Sequence, residues 1–125
     1  MDHCRLEASP NHCGLVAVDG ATVTVRNTVA SGNAQTGFEI ASESSRSTEV
    51  NIENCIASNN GVNGVGLFQG GSGKVIARVS DSTITDNAGN GFQNGGGQIL
   101  SRRNNTVAGN GAGDTSGTIT TYTAQ

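Results

Sequence analysis

The chain has 125 residues, 34% hydrophobic and 14% charged, with 19 Gly, one Pro and no Trp; its apolar share is low for a globular core, yet its charge is too low and its apolar residues too regularly placed for a disordered chain. The net charge of −3, a largest basic cluster of Arg102-Arg103, and aromatics limited to Phe38, Phe68, Phe92 and Tyr122 exclude a nucleic-acid surface. No apolar run approaches about 18 residues, which excludes a membrane helix, and Met1-Asp2-His3-Cys4-Arg5 lacks the apolar stretch of a signal peptide, so a cytoplasmic place is the default expectation.

The chain opens with two similar dipeptides, His3-Cys4 and His12-Cys13. A zinc ion takes four N or S ligands in a tetrahedral array, and neighbours on a strand point to opposite faces. A shared site would therefore need an irregular loop at Pro10-Asn11. Ordinary packing in an imperfect first coil is the simpler expectation, and no metal or other cofactor is expected. Cys4, Cys13 and Cys55 are too few, and odd in number, for a disulfide framework. Next, Gly14-Leu15-Val16-Ala17 has the makings of a short strand.

Val23-Thr24-Val25-Arg26-Asn27 alternates apolar and polar residues, the period of a strand with one buried face. The pattern returns 27 residues on as Val50-Asn51-Ile52-Glu53-Asn54, and again as Ala77-Arg78-Val79-Ser80-Asp81. Between these strands lie turns that end in Asn33, Asn60, Asn87 and Asn110, at intervals of 27, 27 and 23 residues. After each of the first three comes a second strand: Gly37-Phe38-Glu39-Ile40, Gly64-Val65-Gly66-Leu67 and Gly91-Phe92-Gln93-Asn94. Leu15, Phe38, Val65 and Phe92 should form one internal column. A period of 20 to 50 residues marks a solenoid, and equivalent strands should pair in parallel about 4.8 Å apart. Coils are expected at about 1–21, 22–48, 49–75, 76–97 and 98–113, with 114–125 as a tail or cap. Asn33, Asn60, Asn87 and Asn110 are expected as a structural ladder. An amide both donates and accepts, so stacked Asn can satisfy backbone groups that a tight corner leaves unpaired.

Other motifs dissolve into this pattern. Gly70-Gly71-Ser72-Gly73-Lys74-Val75 lacks the hydroxyl residue and helix of a phosphate loop and is expected as a turn. Thr22 and Thr24 begin a Thr-x-Thr array that the next coils do not continue. Asp81 and Asp86 could contribute to a calcium site of six or more oxygens, but Asp81 holds a turn-capping Asn position. The last repeat interval is short. Counting back from Asn104 would turn Arg102 inward, which an unpaired charge does not tolerate, so a bulge between Ile99 and Arg103 is expected. After Asn110 the pattern stops, and Ile119 and Tyr122 are expected to fold over the end.

The recurring V-x-V-x-N-(3)-S-x-N-(3)-G-hydrophobic pattern, carried by Val23, Val25, Asn27, Ser31, Asn33, Gly37 and Phe38, resembles the right-handed parallel β-helix repeats of the pectin-lyase-like superfamily. The uncharacterised bacterial members are the nearest in appearance, and the resemblance runs from about His3 to Asn110. It implies an all-β, single-stranded, right-handed parallel β-helix of about five coils. It also implies that relatives are often exported. Lyases, hydrolases, epimerases and plain binding or structural proteins share that fold, so fold alone does not assign chemistry.

Enzymes of the superfamily work on an outward sheet face, with acidic residues and sometimes an Arg base. On this chain that implicates Glu53, Arg78 and Arg26. Arg26 sits directly over Glu53 in the coil alignment, however, and is expected to pair with it. Hydrolysis would want two carboxylates about 5–9 Å apart, and Glu53 stands alone on that face. The expected function is therefore a non-catalytic module, structural or binding a carbohydrate or a protein partner. A small polysaccharide lyase or hydrolase is the alternative. The open ends of a solenoid expose unpaired strand edges, so a homo-oligomer joined through an end is also expected.

Overall fold

A computed structural model describes residues 1–122. The chain winds through coils of three short strands each. The first coil holds β1 (Arg5–Glu7), β2 (Leu15–Val18) and β3 (Thr22–Arg26); the second, β4 (Val29–Ser31), β5 (Phe38–Ser42) and β6 (Thr48–Glu53). The third holds β7 (Ile56–Ser58), β8 (Val65–Gln69) and β9 (Val75–Ser80); the fourth, β10 (Thr83–Thr85), β11 (Asn90–Gly95) and β12 (Gln98–Arg102). The fifth holds β13 (Thr106–Ala108), β14 (Gly113–Ser116) and β15 (Ile119–Tyr122).

Equivalent strands pair in parallel and build three five-stranded sheets along the axis: β1-β4-β7-β10-β13, β2-β5-β8-β11-β14 and β3-β6-β9-β12-β15. The 27-residue repeat sets the register, with Val23 beside Val50 and Val50 beside Ala77, and Val25 beside Ile52 and Ile52 beside Val79. Each inward position thus stacks on its equivalent one coil away. Phe38, Val65 and Phe92 form the expected column, with Leu15 half-buried at its end. Ala30, Ala57 and Ile84 line the first sheet, and Ile40 and Leu67 complete the second. Burying each large aliphatic or aromatic side chain contributes roughly 1.5–3 kcal/mol, so a narrow core suffices because every coil renews it.

The Asn residues form a ladder through this core. Asn33 Nδ2 donates to Asn60 Oδ1 at 3.0 Å, Asn60 to Asn87 at 2.9 Å, and Asn87 to Asn110 at 2.9 Å. The same Oδ1 atoms accept the backbone N–H of the preceding Asn, and each Nδ2 also donates to a strand carbonyl of an earlier coil, Ala30 O for Asn60 and Ala57 O for Asn87. Ser9 N–H fills the first rung by donating to Asn33 Oδ1. Asp114 closes the last, its Oδ1 accepting both Asn110 N–H and Nδ2. A second, outer set at Asn27, Asn54 and Asp81 takes positive φ near 50°, the left-handed corner that Asn and Asp tolerate best. Asn54 donates to Asn27, and Asn104 donates to Asp81.

Two features depart from expectation, and an expected one takes a definite form. The three-residue strands of the first sheet lie within segments expected as turns; they are too short to show alternation. Arg102 is not turned inward: Ser101 pairs with Val79 and is buried, while Asp81 N–H reaches Asn104 Oδ1. The offset therefore grows by one residue at Arg103, which is the expected irregularity and leaves Arg102 on the outer side, its guanidinium 6.0 Å from the Tyr122 ring centre. The segment after Asn110 does not leave the repeat. Residues 113–116 and 119–122 pair with β11 and β12 as the last rungs of two sheets. Its Gly and Thr residues hide this, because backbone pairing rather than an apolar pattern holds it. Residues 123–125 of the expected cap lie outside the described residues.

Candidate binding groove

Strand alternation sends Val16, Val18, Glu39, Ala41, Gly66, Phe68, Gln93 and Gly95 to the outer face of the second sheet. The register arranges them in two columns along the axis. Val16, Glu39, Gly66 and Gln93 make one, and Val18, Ala41, Phe68 and Gly95 the other. Glycines at two of these places open a groove of about 310 Å³, lined by Gln35, Thr36, Glu39, Val62, Asn63, Gly66, Phe68 and Gln93 among others. Gly66 forms its floor, and a Cβ there would lie 3.5 Å from Thr36 Cγ2 and 3.6 Å from Asn63 Nδ2, in ordinary contact. Val62 on one side and Phe68 on the other stand 42% and 50% exposed, about as exposed as Val16 and Val18 at the start of the same sheet, and Phe68 alone of these is aromatic.

Phe68 is held at its far edge. A side chain at Gly70 would meet Phe68 Cε1 at 2.9 Å and Glu43 Cγ at 3.8 Å, so the bare backbone of Gly70 leaves room for both the ring and the Glu43 side chain. The Glu43 backbone is fixed in turn by its N–H donating to Asp19 Oδ1 at 2.9 Å, a bond that holds the Asp19 carboxyl below its usual range. At the other side, Cys13 Sγ donates to Glu39 Oε2 at 3.0 Å. Burial, then this bond, pushes the Cys13 thiol up to about 11. Asn90 Nδ2 donates to Gln93 Oε1 at 3.2 Å, which fixes the amide of a residue that lines the groove. The groove thus offers an aromatic ring, an aliphatic wall, amide donors and acceptors, and one carboxylate.

The residues singled out from sequence lie elsewhere, on the outer face of the third sheet. Arg26 Nε and Glu53 Oε2 are 3.0 Å apart, the expected cross-coil pair. Arg78 Nη1 instead reaches diagonally to Glu49 Oε2 at 3.3 Å, so both Arg residues have a carboxylate partner. His3-Cys4 and His12-Cys13 are not drawn together; Cys4 Sγ donates to Asp2 O, and His3 Nδ1 lies 2.8 Å from Asp2 Oδ1. Asp81 and Asp86 sit at separate positive-φ corners, and among the described residues no group of three or more His, Cys, Asp or Glu is placed to hold a metal ion. Gly70–Gly73 is a turn before β9, as expected. Sequence reasoning passed over Phe68, Gly66 and Glu39. The available signal was alternation itself: with Val65 and Leu67 inward, an aromatic at position 68 has to face out.

A continuous three-sheet parallel solenoid with a polar internal ladder defines a parallel β-helix protein. A family model described as a right handed beta helix region matches residues 1–118, and the chain belongs to that family. Its coils are thus those of a right-handed β-helix, in keeping with the pectin-lyase-like superfamily. Neither the curated proteins nor the solved structures returned a significant match.

Proposed function

We propose that this protein is a non-catalytic binding module that receives a carbohydrate chain in the groove on the outer face of the second sheet. The observation that carries this reading is Phe68, half-exposed beside a glycine floor in a groove that the amides of Gln35, Asn63 and Gln93 also line. A sugar ring has an apolar face that packs on an aromatic ring, and a rim of hydroxyls that amides serve as both donor and acceptor. Pockets for small ligands share this build, mostly apolar walls with a few placed polar groups. Glu39 is the single carboxylate in the lining, whereas hydrolysis of a glycosidic bond calls on two. On the third sheet, Arg26 and Arg78 are each engaged by a glutamate, which leaves neither poised as a base.

The test is calorimetric titration with soluble oligosaccharides, comparing the native chain with Phe68→Ala and Gly66→Ala. Loss of a stacking ring should weaken binding about tenfold. Gly66→Ala puts a methyl on the groove floor without backbone strain, so it should weaken binding while leaving the melting temperature equal or higher. Undiminished binding in both variants would remove the groove from consideration. A parallel screen for shortened chains or new unsaturated ends addresses the enzymatic alternative. Turnover lost in Glu53→Ala or Arg78→Ala would favour catalysis on the third sheet instead.

A further inference from the structure

We infer that the groove selects a glycan built of amino sugars carrying free ammonium groups, and discriminates against uronate chains; this rests on the carbohydrate reading above. The groove lining contains a carboxylate and no Lys, Arg or His. Cys13 occupies one oxygen of Glu39, and no cation pairs with that carboxylate among the described residues. A second acidic residue, Glu43, approaches the same Gly70 as the Phe68 ring, its Cγ 3.8 Å from where a Gly70 Cβ would stand. Glu39, one coil lower than Phe68, is thus the carboxylate of the lining itself, and Glu43 belongs to the loop that follows β5. The basic residues of known pairing are on other faces: Arg26 and Arg78 are matched to Glu53 and Glu49 on the third sheet, and Arg5 to Glu7 on the first. The whole chain adds a field of the same sign, with a net charge of −3.

Each of these elements favours a cation. An aromatic face attracts an ammonium group through its quadrupole. An uncompensated carboxylate forms a charge-assisted hydrogen bond to it, roughly twice as strong as a neutral one. The same carboxylates repel a sugar acid at close range, and the partly enclosed groove screens that repulsion less than open water would. A neutral glycan would keep the stacking and amide contacts and could offer Glu39 a hydroxyl, without the attraction between opposite charges. The expected order of affinity is therefore amino sugar, neutral sugar, uronate.

The experiment is calorimetric titration of the intact protein at low salt with three hexasaccharides: fully deacetylated chito-oligosaccharide at a pH where its amines are protonated, cello-oligosaccharide and oligogalacturonate. The glucosamine chain should bind about tenfold more tightly than the neutral one, and the galacturonate more weakly than either. Glu39→Gln should erase most of the glucosamine advantage, bringing the affinities for the glucosamine and neutral chains together, and added salt should shrink the advantage in the native chain. Circular dichroism melting shows whether the variant keeps its fold, as an outward-facing position should. Galacturonate binding as tight as the neutral chain, or a glucosamine advantage that survives both Glu39→Gln and Glu43→Gln, overturns the inference while the groove reading stands. Absence of binding by all three chains removes both.

Discussion

Asn60→Ala tests whether the internal ladder holds the coils together. Asn60 is 1% exposed, and its amide takes part in four bonds. Its Oδ1 accepts Asn33 N–H at 3.2 Å and Asn33 Nδ2 at 3.0 Å; its Nδ2 donates to Ala30 O at 3.0 Å and Asn87 Oδ1 at 2.9 Å. Removing the amide leaves Asn33 N–H and one hydrogen of Asn33 Nδ2 without partners inside the core, and takes one donor from Ala30 O. Each buried group left unpaired costs about 1–3 kcal/mol. Partial relaxation and entry of a water would offset some of this, so the loss should be about 2–4 kcal/mol. Asn60 does not take positive φ, so Ala fits the backbone and the change isolates the side-chain bonds. Asn60→Asp should be as damaging, because a carboxylate would face the Asn87 Oδ1 acceptor without a donor between them. Urea denaturation followed by circular dichroism measures the effect, with Asn51→Ala on the outer face of the third sheet as a control expected within about 0.5 kcal/mol. A total stability of about 5–15 kcal/mol is usual for a domain, so the ladder variant should lose a large share of it. A change below about 1 kcal/mol for Asn60→Ala would refute the idea that these amides are structural.

Three further outcomes are expected. Asp114→Ala removes the acceptor that ends the ladder at Asn110 and should cost about 1 kcal/mol in the same assay, whereas Asp114→Asn keeps an acceptor and should lie within about 0.5 kcal/mol of native; equal losses would show that Asp114 does not act as the ladder's end. The Cys13 thiol, raised from its ordinary 9.0 to about 11 by burial and by Glu39, should alkylate slowly at neutral pH. Its rate should climb mainly above pH 9, with Glu39→Gln moving that rise to lower pH, as mass-resolved labelling would report. Because the folded value lies above the ordinary one, its contribution to stability is complete below pH 9 and is lost as pH rises toward 11. Finally, Met1 and Asp2 run along β3, with Arg26 N–H donating to Met1 O, while β1 and β2 stand at the ends of their sheets. Such bare edges should join copies of the chain, giving a mass by light scattering that grows with concentration; a monomer at every concentration would refute this.

What the sequence made legible follows from how a solenoid stores information. Inward positions repeat because each side chain touches its own equivalent above and below, so Val25, Ile52 and Val79 constrain one another and their pattern survives in the text. The ladder was legible for the same reason, since the Asn60 amide bonds the Asn side chains of the coils on both sides of it. Where stacking stops supplying the constraint, the signal fades. Ser101 and Thr121 continue the Val25 column without being apolar, and the backbone pairing of β12 with β15 holds them in place. One added residue at Arg103 then defeats a count made backward from Asn104. The outer faces are free of this mutual constraint altogether. Alternation says that Glu39, Gly66 and Phe68 face outward, but the groove exists because Gly66 and Gly95 leave space beside Phe68 and Gln93, a relation between coils that no single repeat displays. The third sheet drew attention first because charged residues stand out in a sequence, yet its charges are spent on each other. An unneeded aromatic on a surface with Phe68's exposure is the rarer feature in a chain with so few, and it is there that substitution should alter binding without altering the fold.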